Sequence, residues 1–301
     1  MAIQKSGKIW LDGEIINWEE AKVHVLTNAL HYGSGVFEGI RCYKTDKGPT
    51  IFRLEDHIDR FYYSAGCLSI EIPFSKNDIK KSITTLIKIN KINECYIRPI
   101  AFCGYGKLGL DVSGSKVNTA IILWPWGAYL GGIELSAVVS SYRRLSPKSV
   151  PIDAKISGYY ANSIIATMEA KKRGADEAIL LDDNGYVAEG AGENIFIVEN
   201  GKLYTPPKGA ILPGITRDSV MRIAKREGIK VIEKDISVSK LKNAEEVFFT
   251  GTAVEICPVV KIDGQKIGKG KVGPISLRIK EKYIRITRGR DKKYKKWLTY
   301  V

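Results

Sequence analysis

Lys155 lies in Asp153-Ala154-Lys155-Ile156-Ser157-Gly158-Tyr159-Tyr160, a loop with glycine and serine ahead of an expected helix. A lysine amine acts as a nucleophile, or forms a Schiff base with a carbonyl carbon, when desolvation or neighbouring charge lowers its pKa. Taken alone, the residue reads more simply as one solvated lysine among many. Pro213-Gly214-Ile215-Thr216-Arg217-Asp218 directly precedes an amphipathic stretch with Val220, Ile223 and Ala224 on its apolar side. Backbone N–H groups at a helix start favour an anion, and glycine lets a ligand approach closely. Thr216 could cap that helix or offer a hydroxyl to a phosphate. Thr250-Gly251-Thr252-Ala253 follows Val247-Phe248-Phe249 and presents similar groups at a strand end, or forms an ordinary turn. Two anion-friendly turns in one half of the chain point to a phosphate. In Glu189-Gly190-Ala191-Gly192-Glu193-Asn194 two glycines beside the first carboxylate let backbone or a ring approach it, though a structural turn would look the same.

Other chemistries are disfavoured. His24, His31 and His57 all lie in the first half, with neither HxxxH nor HExxH spacing, so no metal site is suggested. Ser113-Gly114-Ser115 does not fit a G-x-S-x-G nucleophile elbow, and no P-loop or dinucleotide fingerprint follows a strand. The five cysteines are odd in number and form no CxxC pair, as in reduced cytosolic proteins. The N-terminus carries no apolar signal region. The longest uncharged stretch, 117–133, is broken by Pro125 and glycines and is too short to span a membrane. A cytoplasmic protein without membrane partners is expected.

The elements that must position these residues read as α+β throughout. Ile9-Trp10-Leu11, Asp12-Gly13 and Glu14-Ile15-Ile16 form a hairpin signal. Strands are expected at 36–43 and 50–53, a helix at 54–68, and a second helix capped by Ser75 with Asp78 in the capping-box position. Strands at 96–103 and 119–124 complete a first domain over 1–125. Pro and Gly punctuate 126–134, the expected linker. In 135–301, strands at 135–140, 177–181, 194–198, 230–233 and 246–250 alternate with helices at 161–173, 216–227 and beyond Pro274. Antiparallel hairpins with helices packed outside are expected in both halves.

The chain has 301 residues, 44% hydrophobic and 27% charged, which suits a globular protein and rules out disorder or coiled coil as a whole-chain reading. The formal charge is +14. From Arg278 to Val301 ten Lys or Arg face two acids, so a surplus of eight sits in the last 24 residues. The expectation is a solvated helix face followed by a loose end. A nucleic-acid arm is the less favoured alternative. Tyr283, Tyr294 and Trp297 could instead dock the tail.

These pieces, in this order, resemble the fold-type IV pyridoxal-phosphate enzymes, and among them the branched-chain amino acid aminotransferases. The resemblance is carried by His31-Tyr32-Gly33-Ser34-Gly35-Val36-Phe37-Glu38-Gly39-Ile40-Arg41, Tyr96-Ile97-Arg98-Pro99 and Trp126-Gly127-Ala128-Tyr129-Leu130-Gly131. Further on it is carried by Ala154-Lys155, Asn162-Ser163, 189–194, 212–218 and 251–255. It implies a two-domain fold with antiparallel-rich sheets and outer helices, and pyridoxal 5'-phosphate as cofactor. By position, Lys155 is the implied Schiff-base lysine, and Glu189 the partner of the pyridinium nitrogen. Tyr160 is implied to bond the ring 3-oxygen. Arg60, Ile215, Thr216, Gly251 and Thr252 are implied to hold the cofactor, chiefly its phosphate. Tyr32, Phe37, Gly39, Tyr96 and Tyr129 would line the substrate pocket. Thr252, Ala253 and Tyr96 would meet the α-carboxylate, and Arg98 the distal carboxylate of glutamate. The family pattern G-N-Y-x-N-S has Asn where this chain has Tyr159, and alignment on Asn162-Ser163 selects Tyr160. The implied reaction is transamination of L-leucine, L-isoleucine and L-valine with 2-oxoglutarate, yielding L-glutamate, by a homodimer or larger homo-oligomer whose loop 104–115 serves the neighbouring subunit. D-amino acid aminotransferases and aminodeoxychorismate lyases, of the same class, are not expected to carry V-F-E-G-I-R with Y-I-R-P.

Overall fold

The computed structural model describes residues 4–126 and 134–301. Strands β1 (Lys8–Leu11) and β2 (Glu14–Asn17) pair across Asp12-Gly13, whose φ values of 50° and 99° are those a tight two-residue hairpin turn requires. A short helix α1 (Asn28–Tyr32) ends at left-handed Gly33 and leads into β3 (Gly35–Phe37), β4 (Ile40–Thr45) and β5 (Gly48–Phe52). Helices α2 (Leu54–Cys67) and α3 (Lys76–Asn90) follow, then β6 (Cys95–Cys103) and β7 (Val117–Pro125). The Ser75/Asp78 capping box is formed: Asp78 N–H donates to Ser75 Oγ and Ser75 N–H to Asp78 Oδ2. All strand pairs of this sheet are antiparallel among the described residues. The apolar stripes of α2 and α3 (Leu54, Ile58, Ile79, Ile83, Leu86) are buried on Ile40, Cys42, Ile97 and Ile121 of the sheet. Each such side chain contributes about 1.5–3 kcal/mol by leaving water.

The second unit begins with β8 (Leu135–Arg143), α4 (Tyr160–Lys172), β9 (Glu177–Leu181) and β10 (Val187–Gly190). It continues through β11 (Asn194–Glu199), β12 (Lys202–Thr205), α5 (Ile215–Arg226), β13 (Val231–Glu233) and α6 (Val238–Lys242). It closes with β14 (Glu246–Gly251), β15 (Glu255–Ile262), β16 (Gln265–Lys266) and α7 (Pro274–Thr287). The sheet order is β10-β9-β8-β15-β14-β11-β12-β13, with β16 on β15. Antiparallel pairs predominate, but β8–β9, β8–β15 and β12–β13 are parallel. The sequence pattern hid these pairs. Helix α4 is the crossover between β8 and β9 and α5 that between β12 and β13, while everything from α4 to β14 separates β8 from β15, so these strands meet without a turn signal between them.

The chain then returns to the first unit. Residues Leu298–Tyr300 form β17, antiparallel to β5 and so completing the first sheet in the order β17-β5-β4-β6-β7-β1-β2, with β3 on β6. The expected loose end is therefore docked. Tyr294 is buried, Trp297 packs edge-on to Phe52, and Arg53 N–H donates to Trp297 O at 2.7 Å. The aromatic residues among the lysines bury apolar area, and β17 satisfies the open edge of β5. Residues 154–159 also join the first unit, through the Val36–Ile156 bridge and the burial of Ala154 and Ile156 against Val36 and Phe61. The first compact unit thus comprises 1–127, 154–159 and 285–301, and the second 128–153 and 160–284. A single cut at 126–134 does not describe this division. No helix among the described residues is long and apolar enough to cross a membrane.

Candidate active site

In the first unit, Tyr96 and Arg98 stand two residues apart on β6 and so share a face. Trp124 lies opposite Tyr96 in register on β7, and their rings stack at 5.0 Å; Trp126 also lies 5.0 Å from the Tyr96 ring. The Arg98 guanidinium sits 4.6 Å from the Phe37 ring centroid, 5.4 Å from that of Tyr96 and 5.6 Å from that of Trp124. Ring faces attract it, but they do not satisfy its N–H groups. Its Nε is buried without a hydrogen-bond partner, and no acid pairs with it among the described residues. A cation held this way is suited to an anionic ligand. Gly39 lets Tyr96 take its place, since a methyl there would collide with the Tyr96 hydroxyl.

Lys155 belongs to this cluster. Its N–H donates to the buried Ser64 Oγ at 2.8 Å, its carbonyl accepts Phe37 N–H at 3.2 Å, and its Nζ is 4.9 Å from the Phe37 ring centroid. Arg60 joins through Glu38, the residue between Phe37 and Gly39. Arg60 Nε and Nη2 donate to the two Glu38 carboxylate oxygens at 2.6 and 3.0 Å, and His57 Nδ1 meets Glu38 Oε2 at 2.7 Å. Burial alone would raise the Glu38 carboxyl, but the Arg60 guanidinium and His57 outweigh it and hold it well below the usual carboxylate range. Burial also holds His57 below its ordinary value against the pull of Glu38, so the neutral ring donates Nδ1–H to the carboxylate. Tyr32 stands apart at the end of α1 with its side chain largely exposed. Tyr129 lies outside the described residues.

In the second unit, Glu189 on β10 is buried and receives three kinds of donor. These are Arg144 Nε at 2.6 Å, Asn194 Nδ2 at 3.0 Å and the Leu212 N–H at 3.2 Å. The same Asn194 amide donates to Leu212 O at 2.9 Å. One side chain therefore ties the glutamate segment to the loop that starts α5. That helix is entered through Gly214, with no side-chain cap; Ile215 and Thr216 are its first two residues and both are buried. Thr216 is therefore not the N-cap that its type allowed. A methyl on Gly214 would collide with Asn194 Oδ1, so glycine is required by space at an ordinary φ of −67°. Asn194 lies opposite Thr250 on β14, which places the 250–253 turn beside the 189–194 segment. Gly251 pairs with Glu255 across that turn, which Thr252 and Ala253 occupy. Tyr160 opens α4, which packs on β8 and β9, whereas Tyr159 packs against the apolar cluster of Val36 and Ile156.

Two clusters thus gather most of the implied residues: Phe37, Gly39, Arg60, Tyr96, Arg98 and Lys155 in one unit, and Glu189, Ile215, Thr216, Gly251, Thr252 and Ala253 in the other. Sequence reasoning gave no role to Glu38, Ser64, Arg144 or Asn194. A signal existed for Ser64, since His57, Arg60 and Ser64 fall at helical i, i+3 and i+7 spacing on α2. Nothing local in the sequence pairs Arg144 with Glu189, 45 residues away.

A family model, Amino-transferase class IV, matches residues 35–262. The Pseudomonas aeruginosa branched-chain-amino-acid aminotransferase is 43% identical over 99% of this chain and 98% of its own length. The Escherichia coli enzyme of the same name is 42% identical over 100% and 99%. Among solved structures, the Escherichia coli branched-chain amino acid aminotransferase has a TM-score of 0.95 and 42% identity, over 98% of this chain and 99% of that one. A T.th. branched-chain amino acid aminotransferase complexed with N-(5'-phosphopyridoxyl)-L-glutamate has a TM-score of 0.94 at 46% identity, and the branched-chain aminotransferase of Thermoproteus uzoniensis with norvaline a TM-score of 0.94 at 44% identity, both with the same coverage.

Proposed function

Because the chain belongs to the amino-transferase class IV family, we propose that it transfers amino groups between L-leucine, L-isoleucine or L-valine and 2-oxoglutarate, with pyridoxal 5'-phosphate as cofactor. The products are the branched-chain 2-oxo acids and L-glutamate. The full-length likeness to branched-chain enzymes supports this, and one structural observation carries it. Arg98 is a guanidinium among aromatic rings without an acid partner among the described residues, which suits a pocket that takes both an aliphatic side chain and a distal carboxylate.

The donor set fits the cofactor. The first unit offers a primary amine, Lys155, for its aldehyde and a guanidinium, Arg60, for its phosphate; the second offers a buried carboxylate, Glu189, for its ring nitrogen and a helix start that favours an anion. When bound, pyridoxal phosphate supplies an electron sink for charge developing at the substrate α-carbon. Lys155 Nζ would hold the aldehyde carbon and, when free, take and return the α-proton, one amine serving as base and then acid. Glu189, held in place by Arg144, Asn194 and the Leu212 N–H, would hold the ring-nitrogen proton. Tyr160 would bond the ring 3-oxygen. Arg60, Ile215, Thr216, Gly251 and Thr252 would hold the phosphate end. Tyr32, Phe37, Gly39, Tyr96 and Tyr129 would line the pocket and exclude water. The substrate α-carboxylate would meet the Thr252 and Ala253 amides and the Tyr96 hydroxyl, and Arg98 the distal carboxylate. A homodimer is the expected assembly, supported by exposed apolar residues such as Val25 (74%) and Leu110 (84%) in the first unit. The odd count of five cysteines, without CxxC spacing, suits a cytoplasmic location.

The test is the visible absorbance of purified protein before and after L-leucine or D-alanine. A change with L-leucine alone is expected, and Lys155→Ala should lose both the band and turnover. Turnover retained in that variant refutes the mechanism, and preference for D-alanine refutes the substrate.

A further inference from the structure

We propose that Glu38 is a positioning residue, whose buried carboxylate fixes the plane of the Arg60 guanidinium for the phosphate of the cofactor. This inference rests on the function proposed above. Glu38 is fully buried, which is costly for a carboxylate unless its oxygens are satisfied. They are satisfied by Arg60 Nε, Arg60 Nη2, His57 Nδ1 and the Gly39 N–H at 3.2 Å. Its own backbone is pinned by the bond from Glu38 N–H to Pro99 O at 2.9 Å. The carboxylate is therefore a fixed point set by the sheet.

Arginine is long and rotamer-rich, and holding it in one geometry costs entropy at the moment of binding. A fork pairing with a fixed carboxylate removes that freedom in advance, because both groups are planar. The fork is made by Nε and Nη2, two of the five N–H donors that a guanidinium carries. Residues on either side of Glu38 join the same cluster: Phe37 touches both Arg98 and Lys155, and Gly39 admits Tyr96. Helix α2 adds a second link, since Ser64, one turn after Arg60, receives the Lys155 N–H. The orientation of the phosphate-binding guanidinium and the backbone of the lysine are thus set from one rigid frame.

The apoenzyme is titrated with pyridoxal 5'-phosphate and, separately, with pyridoxal, which lacks the phosphate, and binding is followed by absorbance. Glu38→Gln should weaken the phosphorylated compound by about tenfold or more, the scale of a charge-assisted hydrogen bond, while pyridoxal stays within about twofold. In an Arg60→Ala background the same change should have almost no further effect. Equal weakening of both compounds, or full additivity with Arg60→Ala, overturns the proposal. Should Glu38→Gln not fold, Glu38→Asp keeps the charge but withdraws the fork by one methylene, and the same phosphate-selective loss is required of it. A wild-type chain that takes up neither compound overturns the cofactor reading itself, and this proposal with it. Wild-type binding with unchanged variants overturns only the role of Glu38.

Discussion

Replacing Arg98 with methionine separates a role in substrate choice from a role in stability. Methionine keeps an unbranched side chain among Phe37, Tyr96 and Trp124 but removes the charge. The protein loses cation–π attraction of about 0.5–2 kcal/mol. It also sheds a buried Nε that has no partner, whose desolvation costs about 1–3 kcal/mol. These effects oppose each other and are of similar size, so the Tm of the apoenzyme should move by less than about 4 °C. The distal carboxylate of glutamate, by contrast, loses a charge-assisted pair of about 1.5–3 kcal/mol. At about 1.36 kcal/mol per decade, kcat/KM for L-glutamate should fall about 10- to 150-fold. L-leucine, which brings no charge to that position, should stay within about threefold by the same arithmetic. Single-turnover half-reactions with each amino acid measure this directly. An equal fall for both substrates, or a large fall in Tm, refutes the assignment of Arg98 to the distal carboxylate.

Acid should destabilise the first unit in two stages. His57 titrates below its ordinary value when folded, so its contribution is complete above about pH 6.5 and is lost as pH falls below it. Glu38 is likewise held below its ordinary value, so its contribution is present above about pH 4.3 and disappears on further acidification. Below about pH 6.5 the unfolding free energy should fall on acidification, by at most about 1.4 kcal/mol per pH unit for the one proton, and His57→Gln should flatten that fall. An unchanged slope in that variant counts against the assignment. Gly214→Ala should cost about 1–3 kcal/mol by forcing the Asn194 amide away from Glu189 and Leu212, and in an Asn194→Ala background the same substitution should cost far less. Thermal unfolding of the four proteins decides this.

Short-range features are readable without coordinates. The Asp12-Gly13 hairpin, the Ser75/Asp78 capping box and the α2 stripe follow from turn chemistry, capping and periodicity, all of which act within a few residues. The glycine-bearing motifs at 189–194 and 213–218 stand out because close approach and helix starts demand particular residue types. The three-residue strand β17 carries no such signal and is defined by its partner β5, whereas β10 and β12 follow the Asn184-Gly185 and Asn200-Gly201 turns that the sequence shows. The lysine-rich tail reads as a loose end because charge pattern reports solvation, whereas Tyr294 and Trp297 dock it on the β5 edge.

The sequence by itself determined which residue types are available for the chemistry: one candidate amine, one glycine-flanked carboxylate, two turns rich in N–H donors, and a tyrosine and arginine two apart on a strand. Those follow from spacing along the chain. Tertiary structure alone decided which supporting groups hold them: Glu38, itself bonded by His57, on Arg60, Ser64 on Lys155, Arg144 and Asn194 on Glu189. Most of these partners come from distant segments. A buried charge must find its counter-charge in space, and chain separation says nothing about that distance.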